Sequence, residues 1–264
     1  MAERRTTSEM NGRLWGSAAA DWAAIQERTC RPVYEAVFDH VDLKPGLRYL
    51  DVGCGAGLAA QLAAARGAQV SGLDAAENML AIARTRVPDG DFQVGELESL
   101  PFQDGTFDLV TGFNAFQYAA NPGAALAEAK RVAKAGAQVV VMTWGNPEGM
   151  EAASLVAALR PLLPPPPPGA PGPFALSDEA ALRGFALTAG LEPLELMDVD
   201  SPWHYADLAT ALRGLGSSGV AARARDNSSA EAVDGAHTKA LSPYRLADGS
   251  YRIGARFRCL VTRA

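Results

Sequence analysis

Apolar residues in this chain follow two rhythms, and the switches between them outline a fold. Over residues 47–144 five short strand-like runs recur: LRYLDVG, AQVSGLD, DFQVGE, FDLVTGF and AQVVVMTW. Ala-, Leu- and Arg-rich stretches of helical character lie between them at 58–66 and 76–86, and another at 123–134 precedes the fifth run. Strands that alternate with helices need crossover connections. The pattern therefore predicts a parallel sheet with helices on both faces, a doubly wound α/β architecture.

Ahead of this core, Leu14, Ala18, Trp22 and Ile25 fall at helical spacing. Val33, Val37 and Val41 do the same after Pro32, which suits the first turn of a second helix. Lys44-Pro45-Gly46 ends this N-terminal helical cap, residues 1–44. Behind the core, a helix within 148–160 leads into Pro161–Pro173, where eight of 13 residues are proline and five are consecutive at Pro164–Pro168. Such a tract favours polyproline II and joins neither a helix interior nor a sheet ladder; it reads as a stiff spacer or as a wall over a site. A helix with Ser177 as its N-cap and Leu182, Phe185 and Leu187 on its face follows, then a strand-like run at 191–199. Residues 203–241 read as an irregular Ala/Gly/Ser-rich insertion with helical stretches. The last run has period two, with Tyr251, Ile253, Ala255, Phe257, Cys259 and Val261 on one face and Arg252, Arg256 and Arg258 on the other, which predicts one half-buried strand over 250–263. The expectation is one domain over 1–264. Its core spans 45–144, with insertions at 145–176 and 203–241 and the final strand closing the sheet.

Composition narrows the class. Of 264 residues, 48% are hydrophobic and 20% charged, enough apolar material for a buried core. No stretch approaches ~18 uninterrupted apolar residues, and the opening MAERRTTSEMNGRLWG has no apolar run behind its charges, so neither a membrane span nor a signal peptide is expected. Cys30, Cys54 and Cys259 lie far apart and are odd in number, which excludes a disulfide scaffold and a CxxC zinc site and points to the cytoplasm. The net charge is −6, and residues 201–264 carry +4 of opposite sign to the rest. An acidic chain is a poor polyanion binder, so no nucleic-acid partner is expected, and the basic tail reads as a solvated strand face.

Candidate chemistry sits at the first strand-to-helix turn, Leu50-Asp51-Val52-Gly53-Cys54-Gly55-Ala56-Gly57. Glycines there allow a tight turn and close approach of a ligand, and the helix behind them offers unpaired N–H groups. Asp74 ends the second strand, where a carboxylate can accept both hydroxyls of a ribose. Nicotinamide and S-adenosylmethionine sites look alike to this point. Three details separate them. Position 58, where a dinucleotide fingerprint wants its third small residue, is Leu58; Asp51 precedes the glycines; and the third strand closes on Gly95-Glu96-Leu97-Glu98-Ser99-Leu100-Pro101-Phe102.

Over residues 47–144 the sequence resembles the class I S-adenosylmethionine-dependent methyltransferases, and within them the ubiquinone/menaquinone-biosynthesis-type branch that also holds many small-molecule methyltransferases. LDVGCGAG resembles the family's first motif, GLDAAENML its second, and GELESLPF a third that usually reads GDAESLPF, with Glu96 here for the usual Asp. The resemblance implies a Rossmann-like seven-stranded sheet with its last strand antiparallel. It implies S-adenosyl-L-methionine as cofactor and S-adenosyl-L-homocysteine as product. The cofactor would be held by Asp51, Gly53, Cys54, Gly55, Gly57, Asp74, Ala75, Met79, Glu96, Leu97 and Asn114, with Asp74 on the ribose, Met79 as a wall for the adenine, Glu96 accepting from the adenine amine and Leu97 at the ring edge.

Methyl transfer from a sulfonium is an in-line displacement, so a protein serves it mainly by alignment and by excluding water. A general base is needed only where the acceptor must lose a proton. His204 is the candidate base; His40, ending a helix, and His237, in a polar stretch read as a loop, are weaker. Tyr118, Trp144 and His204 are candidate substrate contacts, and the substrate expected is a small molecule. Trp15 and Trp22 either cover the cofactor or, for Trp22, belong to an apolar core stripe. No Asp/Glu/His cluster has ligand spacing, so no metal is expected.

Overall fold

Strand order decides where this molecule can bind a ligand. In the computed structural model, which describes residues 7–165 and 172–264, seven strands form one sheet in the order β3-β2-β1-β4-β5-β9-β6. They are β1 (Arg48–Val52), β2 (Gln69–Asp74), β3 (Asp91–Val94), β4 (Phe107–Phe113), β5 (Ala133–Trp144), β6 (Glu192–Asp200) and β9 (Arg256–Arg263). The first five are parallel; β9 runs antiparallel between β5 and β6. From β1 the chain winds outward to β2 and β3, then returns to the other side of β1 with β4. That reversal opens a crevice at the carboxyl ends of β1 and β4.

The period-two alternation of each strand feeds two cores. Tyr49, Leu109, Val140, Met142 and Cys259 pack on one face with α3 (Arg31–His40), α4 (Leu58–Ala65) and α5 (Glu77–Arg86). Leu50, Val110, Val139, Val141 and Leu260 pack on the other with α6 (Pro122–Val132) and α8 (Glu179–Thr188). Burial on both faces is why β1 and β4 read as nearly continuous apolar runs.

The N-terminal cap departs from the sequence reading. The spacing of Leu14, Ala18, Trp22 and Ile25 predicts one helix, whereas α1 (Thr7–Gly16) stops at Gly16. The chain resumes as α2 (Ala19–Asp21), a π-turn at Trp22–Gln26, a 3-10 turn at Glu27–Cys30 and then α3, with Pro32 in its first turn as expected. The break has a packing cause. A Cβ on Gly12 would lie 2.3 Å from the Ala75 carbonyl oxygen, so α1 presses its backbone onto the β2–α5 turn. The Gly16 carbonyl accepts from Asn78 Nδ2 at 3.1 Å.

Three corrections concern the second half. Asp178, not Ser177, caps α8: its carboxylate accepts from the Ala181 N–H at 2.9 Å, while Ser177 Oγ donates to the Phe174 carbonyl. The insertion at 203–241 is regular rather than irregular. After β7 (Trp203–Tyr205) come α9 (Leu208–Gly216), α10 (Gly219–Asn227) and α11 (Ala230–Leu241), entered through the N-caps Asp207, Ser218 and Ser229. Finally, the strand expected over 250–263 is two. β8 (Tyr251–Ile253) leaves the main sheet to pair with β7, because Gly254 between β8 and β9 bonds Glu151 and Ala152, at the start of α7 (Ala152–Ala158). The alternation itself holds: Tyr251, Ile253, Ala255, Phe257, Cys259 and Val261 are all buried. The basic tail is paired locally, Arg256 with Asp200 and Arg258 with Asp198, each at 2.7 Å across β9 and β6. Most of the proline run Pro164–Pro168 lies outside the described residues.

Each capping side chain should carry measurable stability. Ser229→Ala removes the acceptor for the Ala232 N–H and is expected to cost about 1 kcal/mol in urea denaturation at unchanged m-value.

Candidate functional site

The first turn after β1 is built by three left-handed glycines, Gly53, Gly55 and Gly57, with φ of +75°, +54° and +81°. A side chain is excluded by space as well as by conformation: a Cβ on Gly53 would lie 2.5 Å from Ala115 Cβ, and one on Gly57 2.7 Å from Ala83 Cβ. Asp74 at the end of β2 fastens the turn. One carboxylate oxygen accepts from the Gly55 N–H at 2.9 Å and the other from the Ala76 N–H at 2.8 Å. At the end of β4, Asn114 takes a left-handed φ of +56°, and its side-chain oxygen accepts from Gln117. Asn is among the few side chains that tolerate that region.

These elements rim a cavity at the crevice. Of the sequence candidates, Gly53, Gly55, Asp74, Ala75, Met79, Glu96, Leu97, Asn114 and Tyr118 line it. Five do not. Cys54 and Gly57 belong to the turn but face its packed side. Trp144 is core, stacked on Phe257 with centroids 4.9 Å apart. His204 is an exposed residue of β7 opposite Arg252. Asp51 lies beneath the turn, 2% exposed, in a buried chain: Tyr49 Oη and Thr111 Oγ1 are 2.7 Å apart, and Thr111 donates to the Asp51 carboxylate at 3.1 Å. The other histidines are also placed. His40 pairs with Glu195 at 2.7 Å, and His237, expected in a loop, is buried in α11, where desolvation holds its pKa down at about 4.

Sequence reasoning named Trp15 and Trp22 as a possible cover but passed over the rest of the roof. Ser8, Asn11 and Trp15 share one face of α1 and line the cavity. Ser8 Oγ donates to Glu96 at 2.8 Å and Asn11 Nδ2 to the Tyr118 carbonyl at 2.9 Å, so α1 bridges the β3 and β4 ends. Trp22 both lines the cavity and packs against a buried cluster of Ala19, Ala23, Ala56, Ala76 and Met79, edge-on to Trp15 at 5.1 Å. Gly12, inside a stretch of helical spacing, was the readable sign of a close backbone approach. Cys30, Tyr34, Phe113 and Met142 form the wall beyond Asn114. Behind the roof, Tyr205 Oη donates to Gln26 at 2.8 Å and Ser201 Oγ to the Thr29 carbonyl. Glu27, 3% exposed, is tied to Arg86 at 2.5 Å.

The electrostatics are acidic. Asp74, Glu96 and Glu98 line the cavity, and among the described lining residues none is Lys, Arg or His. Burial raises the pKa of Asp74 and of Glu27 and pushes that of Asp51 up to about 7. Such a lining favours a ligand of net positive charge.

Comparison with known proteins agrees with this geometry. A family model described as a methyltransferase domain matches residues 50–141. The malonyl-acyl-carrier-protein O-methyltransferase of Erwinia billingiae is 34% identical over 181 residues, covering 69% of this chain and 68% of that one. This chain belongs to the class I S-adenosylmethionine-dependent methyltransferase family. The demethylmenaquinone methyltransferase of Renibacterium salmoninarum is 40% identical over 111 residues, 42% of this chain and 47% of that one. The chain thus spans about half the length of several curated relatives it matches. A solved methyltransferase structure from Bacillus halodurans superposes with a TM-score of 0.57 over 87% of this chain and 97% of its own at 18% identity, which shows the shared fold. The seven-stranded order with antiparallel β9 is the sheet the family resemblance implies.

Asp51 gives a test of the site's burial. Between the ordinary carboxylate range and pH 7 the folded protein holds a proton that the unfolded chain has released, so this group's contribution to stability falls as pH rises. Asp51→Asn is expected to raise the melting temperature relative to the parent at pH 8 and to change it little at pH 5. Equal shifts at the two pH values would contradict the placement.

Proposed function

We propose that the crevice cavity binds S-adenosylmethionine and that the chain transfers its methyl group to a small-molecule acceptor by in-line displacement. The observation that carries this reading is Asp74: its carboxylate lines the cavity at the strand-order reversal while holding the Gly55 N–H. When bound, S-adenosylmethionine supplies an electrophilic methyl on a positively charged sulfur.

This chain's residues would then do four things. Asp74 accepts from the ribose hydroxyls, each oxygen having spent one lone pair on a backbone N–H. Glu96 accepts from the adenine amine, with Leu97 and Met79 against the ring. Gly53, Gly55 and Asn114 let backbone approach the methionine part. Trp15 and Trp22, carried by the cap, exclude water, so that the acidic lining acts on the sulfonium at low dielectric. The acceptor then lies against Tyr34, Phe113 and Met142, and the alignment those walls impose supplies the rate.

The named relatives act on a malonyl carrier protein and on demethylmenaquinone. Their acceptors differ, and the cap that roofs the cavity here sets its own. We further propose that 1–264 works as one catalytic unit in the cytoplasm. Three free cysteines and the absence, among the described residues, of a helix long and apolar enough to cross a membrane support that setting. The acidic net charge supports a small-molecule partner rather than a nucleic acid.

Calorimetric titration with S-adenosylhomocysteine tests the site. The parent is expected to bind, and Asp74→Ala and Glu96→Ala each to weaken binding by about tenfold or more. Transfer of labelled methyl into a metabolite extract tests the reaction. A parent that binds nicotinamide dinucleotide but not S-adenosylhomocysteine would falsify the proposal.

A further inference from the structure

Glu27 does not line the cavity, yet it governs what can lie against the glycine turn. One of its carboxylate oxygens accepts from the Leu58 N–H at 3.1 Å, the first N–H of α4, and the other accepts from Arg86 at 2.5 Å. The same guanidinium donates to the carbonyls of Ala56 at 2.8 Å and Ala23 at 2.9 Å, which ties it to the turn and to the cap. A Cβ on Gly55 would lie 3.8 Å from Glu27 Oε1. The carboxylate therefore sits directly behind the turn whose opposite side faces the cavity. The π-turn Trp22–Gln26 immediately precedes it, and such turns recur where a helix must re-aim its side chains at a site.

In doubly wound proteins the helix behind a Gly-rich turn receives a phosphate, because its first N–H groups are free and its dipole favours an anion. Here the chain's own carboxylate has taken that place. A phosphate at this turn would meet the negative charges of Glu27 and Asp74, with the Leu58 N–H and Arg86 already occupied. The zwitterionic methionine part of an adenosyl donor meets a smaller obstacle, because its α-ammonium offsets its single carboxylate charge.

We propose that Glu27 is a specificity-determining residue that fills the anion position at the start of α4 and so closes the adenosyl site to phosphate-bearing ligands. The proposal rests on the reading of the cavity as an adenosyl site, and it explains why a turn so like a dinucleotide fingerprint would take an adenosyl sulfonium.

The test is calorimetric titration of the full chain and of Glu27→Ala and Glu27→Gln with two probes, S-adenosylhomocysteine and adenosine diphosphate. In Glu27→Ala the Leu58 N–H and the Arg86 N–H that Glu27 held are freed, and the diphosphate is expected to bind about tenfold tighter or more than to the parent, with S-adenosylhomocysteine within about threefold. Glu27→Gln keeps the volume without the charge and should shift the ratio in the same direction by less, which secures the test if the alanine variant does not fold. An unchanged ratio of the two affinities in the folded variants overturns the proposal. So does a parallel loss of both ligands with a falling melting temperature, which would make Glu27 only a brace. A parent that ignores S-adenosylhomocysteine sinks the methyl-donor reading instead, and the diphosphate titrations still read the gate.

Discussion

One carboxylate holds the binding end of this sheet in shape. Asp74 reaches from the end of β2 to the glycine turn of β1 and back to the first turn of α5, and both of its oxygens are engaged by backbone N–H groups. Two neighbouring strand ends are thereby fixed relative to each other before any ligand arrives. The interaction is made at low dielectric, where a charge-assisted bond is strong and an unpaired charge is costly. The left-handed glycines, the packing of Ala115 over Gly53 and the opening of the cavity all follow from that geometry.

The second constraint is that the roof belongs to a different part of the chain from the floor. α1 lies across the crevice through Ser8 and Asn11, and its backbone fits only because Gly12 lacks a side chain. The turns after it place Trp22 over Gly55, and Cys30 and Tyr34 on the far wall. Carboxylates thus gather at the ends of β2 and β3, and Tyr34 and Phe113 stand on the far wall. A positively charged ligand suits such a division, since the rings exclude water while the acids supply the field.

Much of the core was legible in the sequence because its signals are local. Strand alternation, the Gly-Cys-Gly-Ala-Gly turn and an acid at each of two strand ends depend on neighbours a few residues away, and the structure sets Gly53, Asp74 and Glu96 around one cavity. What escaped reading depends on distant partners. Arg86 looks like an ordinary basic residue near a helix end until Glu27 arrives from 59 positions away. The helical spacing of Leu14, Ala18, Trp22 and Ile25 was real, but the docking of α1 interrupts it. Trp144 and His204 were chosen for residue type, and the first is packed into the core while the second points to solvent. The alternation at 251–262 survived while the strand did not, since burial depends on which face a residue takes and pairing on which neighbour is near. Asp207, Ser218 and Ser229 were readable helix starts hidden by an Ala/Gly/Ser-rich composition.

The contacts behind the roof bear on how such a chain diversifies. Tyr205 and Ser201, at the threshold of the 203–241 helices, grip Gln26 and Thr29 from behind, and α9 presses Gly214 against Ile25. That helical block is therefore no interchangeable cassette. A graft from a cousin would have to bring its matching 19–40 stretch, since the two segments are fitted to each other side chain by side chain.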